Sequence, residues 1–414
     1  MKRYMIWLML AVMLASIMGC NTIEENVGLG TRVVAEAVYP EGRDWDAEVS
    51  PEFLENLEKF SSQTAAELLA QGEGNSLYSP ISLFYALAMC GEGANGATRD
   101  EFVSFLGMDC VENFAEECGN LYRRLYWREG ESVLQIANSL WLQEDGGFVS
   151  SYQRTMKDHF YTSLFNVDFD DAATGQAMGQ WVSENTGGKL KYEYNPNPNQ
   201  FLSILNTVWI KDGWKGEFSK SGEDTFTLAD GKQITADFMY RSEESKVWMG
   251  DGWMRGELSL GETGKAFFIL PAEGVTVEDL LSNQRVFDEA LRGGTAKNGL
   301  VNWSVPKVSM DCSLELGEYV AGKLATACSR GADFSKMTET DVYVGNVTQK
   351  THIEWDEQGL EAAAYTEIAV ATKTSLIPSE QNMIEMDLDR PFIFGVRSLD
   401  GVDLFIGVCQ NPTA

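Results

Sequence analysis

The sequence predicts a single large domain of the α+β class with mainly antiparallel sheets. Helical signals dominate the first part of the chain, short strand-like runs dominate the later part, and no linker rich in Pro, Gly or Ser divides the chain after Asp46. Helices and strands that are segregated in this way favour an α+β fold over an alternating α/β fold. With 414 residues, of which 44% are hydrophobic, the chain can bury a large core.

The helices are predicted from their capping signals. Ser79 followed by Pro80 is a favourable helix start, because a serine hydroxyl can accept from a free backbone N–H and proline suits the first turn. Thr98 and Glu101 have the spacing of a capping box and predict a helix that begins at Phe102. The expected helices are residues 81–90, the stretch from Phe102, residues 176–185 ended by Gly187 and Gly188, and residues 314–328.

The strands are predicted from short runs of β-branched and aromatic residues that end at turn residues. The five clearest runs are residues 201–210, 266–270, 301–305, 392–397 and 404–408.

The N-terminus has the features of an export signal. Lys2 and Arg3 precede an apolar stretch, residues 4–18, that is too short to span a bilayer comfortably. One interpretation is an ordinary signal peptide cleaved near Gly19. The alternative is a bacterial lipobox, which the run Ile-Met-Gly-Cys ending at Cys20 resembles, although Met18 is not the usual small residue. We expect the second: a signal peptide at residues 1–19 and a diacylglycerol on Cys20.

This interpretation divides the chain into three parts. The signal peptide is followed by a lipidated tether at residues 20–46 and by the folded domain at residues 47–414. The protein would then be an exported bacterial lipoprotein, anchored to a membrane in the periplasm or at the cell surface. The membrane contact would be made through the lipid alone.

The composition argues against several classes of function. A formal net charge of −30 repels phosphate backbones, so nucleic acid is not expected as a partner. His159 and His352 are the only histidines, and the sequence contains neither an HExxH motif, a GxSxG elbow nor a phosphate-binding glycine loop. No catalytic residues, metal site or cofactor are therefore predicted, and the protein is not expected to be an enzyme.

The segment at residues 359–379 has an unusual pattern. At a period of two, one face is mainly apolar and the other is mixed, as a half-buried strand requires. The apolar face consists of Leu360, Ala362, Ala364, Thr366, Ile368 and Val370, and the mixed face of Glu361, Ala363, Tyr365, Glu367, Ala369 and Ala371. Alanine has a weak strand propensity, so a short helix over residues 361–366 and an ordinary edge strand remain open on pattern alone.

At this point the sequence resembles the serpin family, over residues 56–412. The resemblance depends on several separated motifs that occur in the family's order, and together they are highly specific. These motifs are residues 75–82 (Asn-Ser-Leu-Tyr-Ser-Pro-Ile-Ser), 93–98, 206–214 (Asn-Thr-Val-Trp-Ile-Lys-Asp-Gly-Trp), 332–337, 390–394 and 404–412.

The resemblance implies a metastable fold of three β-sheets surrounded by helices, with an exposed reactive loop at about residues 357–380. A target serine protease would attack this loop as a substrate and form an acyl-enzyme. The cleaved loop would then insert as a new strand into the main sheet, which is the mode of strand addition that serpins use, and would trap the protease. The protein would act as a monomeric suicide substrate.

The resemblance also assigns residues to these roles. The fourteenth residue after the hinge glycine Gly359 is Lys373, which makes Lys373–Thr374 the reactive bond and suits a trypsin-type acidic pocket. The hinge and inserting segment are Glu357, Gly359, Leu360, Glu361, Ala362, Ala363, Ala364, Tyr365 and Thr366. The sheet-opening region comprises Ser79, Ser82, Asn206, Trp214 and Gln349.

Three positions depart from the family pattern. Leu360 stands where threonine or serine is usual, and Tyr365 replaces an alanine in the hinge. Gln349 stands in place of the histidine that usually bonds to the asparagine equivalent to Asn206, and an amide can make similar bonds. A non-inhibitory serpin that acts as a binding module, or an inhibitor of elastase-like or cysteine proteases, is the alternative function.

Overall fold

The fold is α+β, as predicted. The computed structural model describes residues 26–27, 31–70, 72, 74–108, 113–191, 196, 200–345, 347–361 and 383–414. The helices in these residues are α1 (Pro51–Leu69), α2 (Pro80–Gly93), α3 (Gly96–Leu106), α4 (Phe114–Leu125), α5 (Ser150–Phe160), α6 (Ala172–Glu184), α7 (Val277–Leu281), α8 (Gln284–Arg292) and α9 (Gly317–Lys323). In this part of the chain no helix combines the length and the apolar character needed to cross a membrane.

The strands are numbered in chain order. They are β1 (Asn26–Val27), β2 (Thr31–Ala35), β3 (Ser76–Tyr78), β4 (Trp127–Glu129), β5 (Ser132–Gln143), β6 (Thr162–Val167), β7 (Leu202–Gly213), β8 (Lys220–Thr227), β9 (Gln233–Gly250), β10 (Trp253–Ser259), β11 (Gly264–Pro271), β12 (Thr295–Pro306), β13 (Val308–Glu315), β14 (Thr348–Trp355), β15 (Gly359–Leu360), β16 (Met383–Asp387), β17 (Phe392–Ser398) and β18 (Asp403–Cys409).

Hydrogen bonds connect the described strands into two networks. The first has the order β1-β2-β6-β5-β7-β15-β14-β13, with β4 beside β5. The second has the order β16-β12-β9-β10-β11-β17-β18-β3, with β8 beside β9. The 18-residue strand β9 pairs with β8 and β12 over most of its length and with β10 only near its end, so it joins two groups of strands into one network.

All five predicted strands are present, as parts of β7, β11, β12, β17 and β18. The helix predicted after Ser79 is α2, and the Ser79 hydroxyl accepts from the backbone N–H of Ser82 as an N-cap. This helix is buried on nearly all sides, in the core shared by the two networks, as its uniformly apolar sequence predicted.

Three predicted helix boundaries were wrong. Helix α3 begins at Gly96 rather than Phe102, because Thr98 and Glu101 do not form a capping box. The Thr98 hydroxyl instead accepts from the N–H of Asp333, and the Glu101 carboxylate accepts from the N–H groups of Thr326 and Ala327. Both side chains make tertiary contacts that a local sequence pattern does not reveal.

The other two predictions were wrong for different reasons, the first local and the second a strand pairing. Helix α6 begins at Ala172, several residues before the predicted start, because Asp171 caps it. The predicted helix at residues 314–328 is mostly absent: Leu314 belongs to β13, where it pairs with Gln349, and only Gly317–Lys323 is helical.

The segment expected to be a tether is partly folded. Strand β2 pairs with β6 at the edge of the first network, and Tyr39 stacks on Tyr126. From Thr31 onward this N-terminal arm (residues 31–50) is therefore packed on the domain. Cys20 lies outside the described residues, and the lipid remains a prediction.

Candidate functional site

The site is a gap in the first network between β7 and β14. Among the described residues, these two strands are joined only through the two residues of β15. Gly359 and Leu360 pair with Gly213 and Asp212 of β7, and Leu360 also pairs with Trp355 of β14. Along the rest of their lengths, both wholly described, β7 and β14 form no ladder with each other. We call the space between residues 202–211 and 348–354 the slot.

The slot is lined by both strands and closed underneath by α2. One cavity of about 40 Å³ lies between residues 206–210 and 350–354, directly beyond β15. A second cavity of about 450 Å³ lies between residues 202–206 and 348–350 and reaches Ser82, Leu87 and Cys90 of α2. The two cavities together follow the length of the slot.

The hinge enters this slot at Gly359. An added Cβ there would lie 2.3 Å from the backbone oxygen of Asp212, so only glycine allows the chain to approach β7 this closely. The next side chain, Leu360, is 1% exposed and packs in the core. The unusual leucine is therefore accommodated on the inner face of the sheet.

Glu361 follows β15 and is still bonded to β14, because its N–H donates to the backbone oxygen of Glu354 at 2.7 Å. Its φ of +64° lies in the left-handed region, which is unfavourable for a residue with a Cβ. Its carboxylate accepts a hydrogen bond of 3.0 Å from the indole N–H of Trp209. Burial raises the pKa of Glu361, against the opposing effects of Trp209 and of Lys189 and Lys211.

Two further contacts fix the turn between β14 and β15, which leads into the hinge. Lys307 Nζ lies 2.7 Å from Glu357 Oε1. Burial alone would raise the pKa of Glu357, but the hydrogen bonds from Lys307 and Ser221 outweigh it and the pKa is lowered. The indole N–H of Trp214 donates to the backbone oxygen of Asp356 at 2.7 Å, which ties the end of β7 to the turn before the hinge.

Gln349 and Ser79 meet below the slot. The Ser79 N–H donates to Gln349 Oε1 at 2.8 Å, and Gln349 Nε2 donates back to the Ser79 oxygen at 2.9 Å. The Ser79 hydroxyl donates to the oxygen of Leu404 at 2.7 Å, so α2, β14 and β18 are connected here. The expected amide contact between Gln349 and Asn206 is not formed, because Ser79 uses both polar atoms of the glutamine side chain.

Asn206 faces the slot from the other wall. Its Nδ2 donates to Asn138 Oδ1, and Asn138 in turn donates to the oxygen of Phe160 at 2.7 Å. Its own Oδ1 is buried and has no hydrogen-bond partner among the described residues. A buried acceptor without a donor is unfavourable, so the slot holds an unused hydrogen-bonding site.

The sequence analysis missed a cluster of ionisable side chains on the outer face of the sheet. Lys189, in the turn after α6, forms an ion pair with Glu354, and His352 lies between Glu354 and Asp311, at 3.4 and 2.9 Å. Burial would raise the pKa of Glu354, but Lys189 and His352 outweigh it and lower the pKa. No local motif marks these residues, since they meet only when the segment after α6 crosses β14.

The structure thus brings together Ser79, Ser82, Asn206, Trp214, Gln349, Glu357, Gly359, Leu360 and Glu361 around one slot. The remaining predicted site residues lie outside the described residues. They are Ala362, Ala363, Ala364, Tyr365, Thr366, Lys373, Thr374 and Cys20.

The sequence and the overall fold are similar to those of known proteins. The family model described as "Serpin (serine protease inhibitor)" matches residues 55–412. Human neuroserpin is 26% identical over 381 residues, which cover 83% of this chain and 88% of neuroserpin. Corticosteroid-binding globulin of Ovis aries is 26% identical over 370 residues, which cover 86% of this chain and 84% of the globulin.

Among solved structures, the native state of Tengpin, a thermophilic serpin, superposes with a TM-score of 0.79. It is 26% identical to this chain, and the match covers 91% of this chain and 97% of Tengpin.

Proposed function

The chain belongs to the serpin family, and from this membership we propose that it is an irreversible suicide-substrate inhibitor of serine proteases. A protease would cleave the loop that follows Glu361, and the cleaved loop would fill the slot before the acyl-enzyme hydrolyses. The observation that carries the proposal is the slot itself, a gap between two strands that already holds the first two residues of the loop.

The pairing register of β15 supports this role. If the strand continues in the register that joins Leu360 to Asp212 and Trp355, Ala362 lies between Ile210 and Ile353 and Ala364 between Val208 and Thr351. The side chains of β14 on this face are buried. Small residues at these positions would meet the interior without steric conflict, as the alternating pattern of the sequence requires.

The same register supports a specific contact for Thr366. It would lie between Asn206 and Gln349, where its hydroxyl could donate to the unpaired Asn206 Oδ1. Insertion would then satisfy this buried acceptor and would add backbone hydrogen bonds between the loop and the strands β7 and β14.

Two departures from the family pattern affect this proposal differently. Leu360 is already buried on the inner face, so its size does not oppose the first step of insertion. Tyr365 would lie on the outer face between Thr207 and Lys350, and Thr207 is buried there. We expect Tyr365, rather than Leu360, to be the position that slows insertion.

The target class follows from Lys373. A lysine at the scissile position fits an acidic pocket, so trypsin-like proteases are the proposed targets and Lys373–Thr374 is the proposed reactive bond. Incubation with trypsin tests the function. A covalent complex that resists SDS supports it, whereas cleavage without a complex favours a non-inhibitory binding protein, the role named for corticosteroid-binding globulin.

Cleavage of the loop is expected to stabilise the protein. A protease that nicks the loop without being trapped should raise the melting temperature by on the order of 10 °C or more, because insertion adds a strand to the sheet and relieves strain. Thermal unfolding of intact and nicked protein, followed by circular dichroism, measures the change. An unchanged or lower melting temperature after nicking would contradict insertion.

The mature N-terminus is proposed to be a lipidated Cys20. The basic, apolar and Gly-Cys elements occur in the order that a lipobox requires, so the protein is expected on a membrane through its lipid only. Mass spectrometry of the N-terminal peptide from the native host should find a diacylglycerol on the Cys20 sulfur. An unmodified N-terminus at another residue would exclude the anchor, and Cys20→Ser is the matched control that should leave the protein unanchored.

A further inference from the structure

Asp212 is a buried carboxylate at the top of the slot, and the sequence analysis did not select it. It is 4% exposed and accepts four hydrogen bonds. Oδ1 accepts from the Ser132 hydroxyl at 2.8 Å, and Oδ2 accepts from the Glu262 N–H at 2.7 Å and from the Thr263 N–H and hydroxyl, both at 2.8 Å. An added Cβ on Gly261 would lie 3.0 Å from Oδ1, so the turn fits closely around the carboxylate.

These donors come from different parts of the fold. Ser132 begins β5, whereas Glu262 and Thr263 form the turn between β10 and β11, which belong to the second network. The N–H of Gly261 also donates to the oxygen of Gly213 at 2.9 Å. Asp212 therefore fastens the end of β7 to the other sheet network.

The turn is also held from the outside. Arg43 of the N-terminal arm donates from Nη1 to the Glu262 oxygen at 2.9 Å, and its guanidinium lies over the rings of Trp45 and Trp127 at 5.1 and 4.9 Å from their centres. Glu262 is thus bound on both sides, through its N–H by Asp212 and through its carbonyl by Arg43.

The position of Asp212 relative to the hinge indicates what this arrangement does. Its backbone pairs with Leu360, the last residue of β15. Beyond this point the cavity in the upper slot is about 40 Å³, which is space for only a few water molecules. For further loop residues to enter, β7 must move away from β14.

We propose that Asp212 is a positioning residue that pins the β7 wall of the slot and so restrains insertion of the uncleaved loop. This inference rests on the proposed inhibitory function and identifies a residue that limits insertion of the loop before cleavage. Movement of β7 together with β5 would strain or break the hydrogen bonds from the turn, which stays with β10 and β11. Breaking bonds to a buried carboxylate is unfavourable, so the pin raises the barrier to widening of the slot.

The test is the rate at which intact protein spontaneously loses trypsin-inhibitory activity. We expect Asp212→Ala to increase this rate about tenfold or more, because the anchoring acceptor is lost. Asp212→Asn keeps one acceptor oxygen and should fall between Asp212→Ala and the original protein. Thr263→Val removes a single donor and provides a milder variant if Asp212→Ala does not fold.

Asp279→Ala is the matched control. Asp279 accepts from Thr276 in the capping box of α7, so its loss removes a hydrogen-bonded carboxylate that has no contact with the slot. This variant should lower the melting temperature without accelerating the conversion. Inactive Asp212→Ala protein should be monomeric and melt at a higher temperature than active protein, which distinguishes insertion from unfolding.

Two results would overturn the inference. The first is conversion of both Asp212→Ala and Thr263→Val at the original rate. The second is loss of Asp212→Ala activity only through unfolding or aggregation, with Thr263→Val unaffected. In both cases the unaltered chain would still form its complex with trypsin, so the inhibitory function would stand. Failure of the unaltered chain to form any complex would instead reject the proposed function.

Discussion

Replacing Lys373 with alanine is expected to lower the association rate with trypsin on the order of a hundredfold, or about 3 kcal/mol. The lysine ammonium is the side-chain charge of the loop that can pair with the carboxylate in a trypsin-type pocket. Without it the pocket carboxylate is buried against an uncharged side chain. The rate of formation of the SDS-resistant complex measures the effect directly.

Lys373→Arg is the matched control for this experiment, since it keeps the positive charge and should retain rapid inhibition. The alanine variant should keep its melting behaviour and gain reactivity toward elastase-like proteases, because Val370 and Ala371 suit small pockets. Sequencing the fragment released from the trypsin complex locates the cleaved bond. If the chain is instead cleaved after Val370 or Ile377, and Lys373→Ala still inhibits trypsin, the trypsin-type assignment is rejected and the serpin mechanism stands.

Arginine in place of Ala364 is expected to convert the inhibitor into a substrate. In the register of β15, residue 364 would face the interior between Val208 and Thr351, and Thr351 is buried. An unpaired charge at such a position costs on the order of several kcal/mol, which should slow insertion until hydrolysis of the acyl-enzyme is faster. The number of inhibitor molecules consumed for each protease inactivated should rise at least about tenfold.

Ala362→Arg should behave in the same way, because its side chain would meet Ile210 and Ile353, both buried. Ala363→Arg is the matched control: its register neighbours Trp209 and His352 are only partly buried, so the charge can reach solvent and the change in stoichiometry should be much smaller. Equal stoichiometry for Ala364→Arg and the unaltered protein would show that the inner face has been assigned incorrectly.

The elements with local signals were predictable from the chain alone. Ser79 and Pro80 predicted the start of α2, and its continuous apolar run predicted burial, because helix capping and hydrophobic content depend only on neighbouring residues. The predicted strands β7, β11, β12, β17 and β18 were also found, because runs of β-branched and aromatic residues are a local signal. The alternation of residues 360–370 likewise indicated which side chains would face inward, and the burial of Leu360 agrees with it.

Thr98 and Glu101 show where local patterns fail. Their spacing fits a capping box, yet their side chains bond to Asp333 and to Thr326 and Ala327, more than two hundred residues away in the chain. Similarly, Gln349 could be aligned with a family histidine, but only the structure shows that its amide is used by Ser79 rather than by Asn206.

Periodicity and ordered motifs along one chain were enough to predict the fold class and the family, whereas the side chains assigned to the reactive segment beyond Glu361 stay a prediction. The width of the slot, the contact between Lys307 and Glu357 and the four hydrogen bonds to Asp212 became visible only in three dimensions. These features depend on hydrogen bonds and ion pairs between segments distant in sequence, and their donors and acceptors carry no local signal because they meet only where the two sheet networks come together at the end of β7.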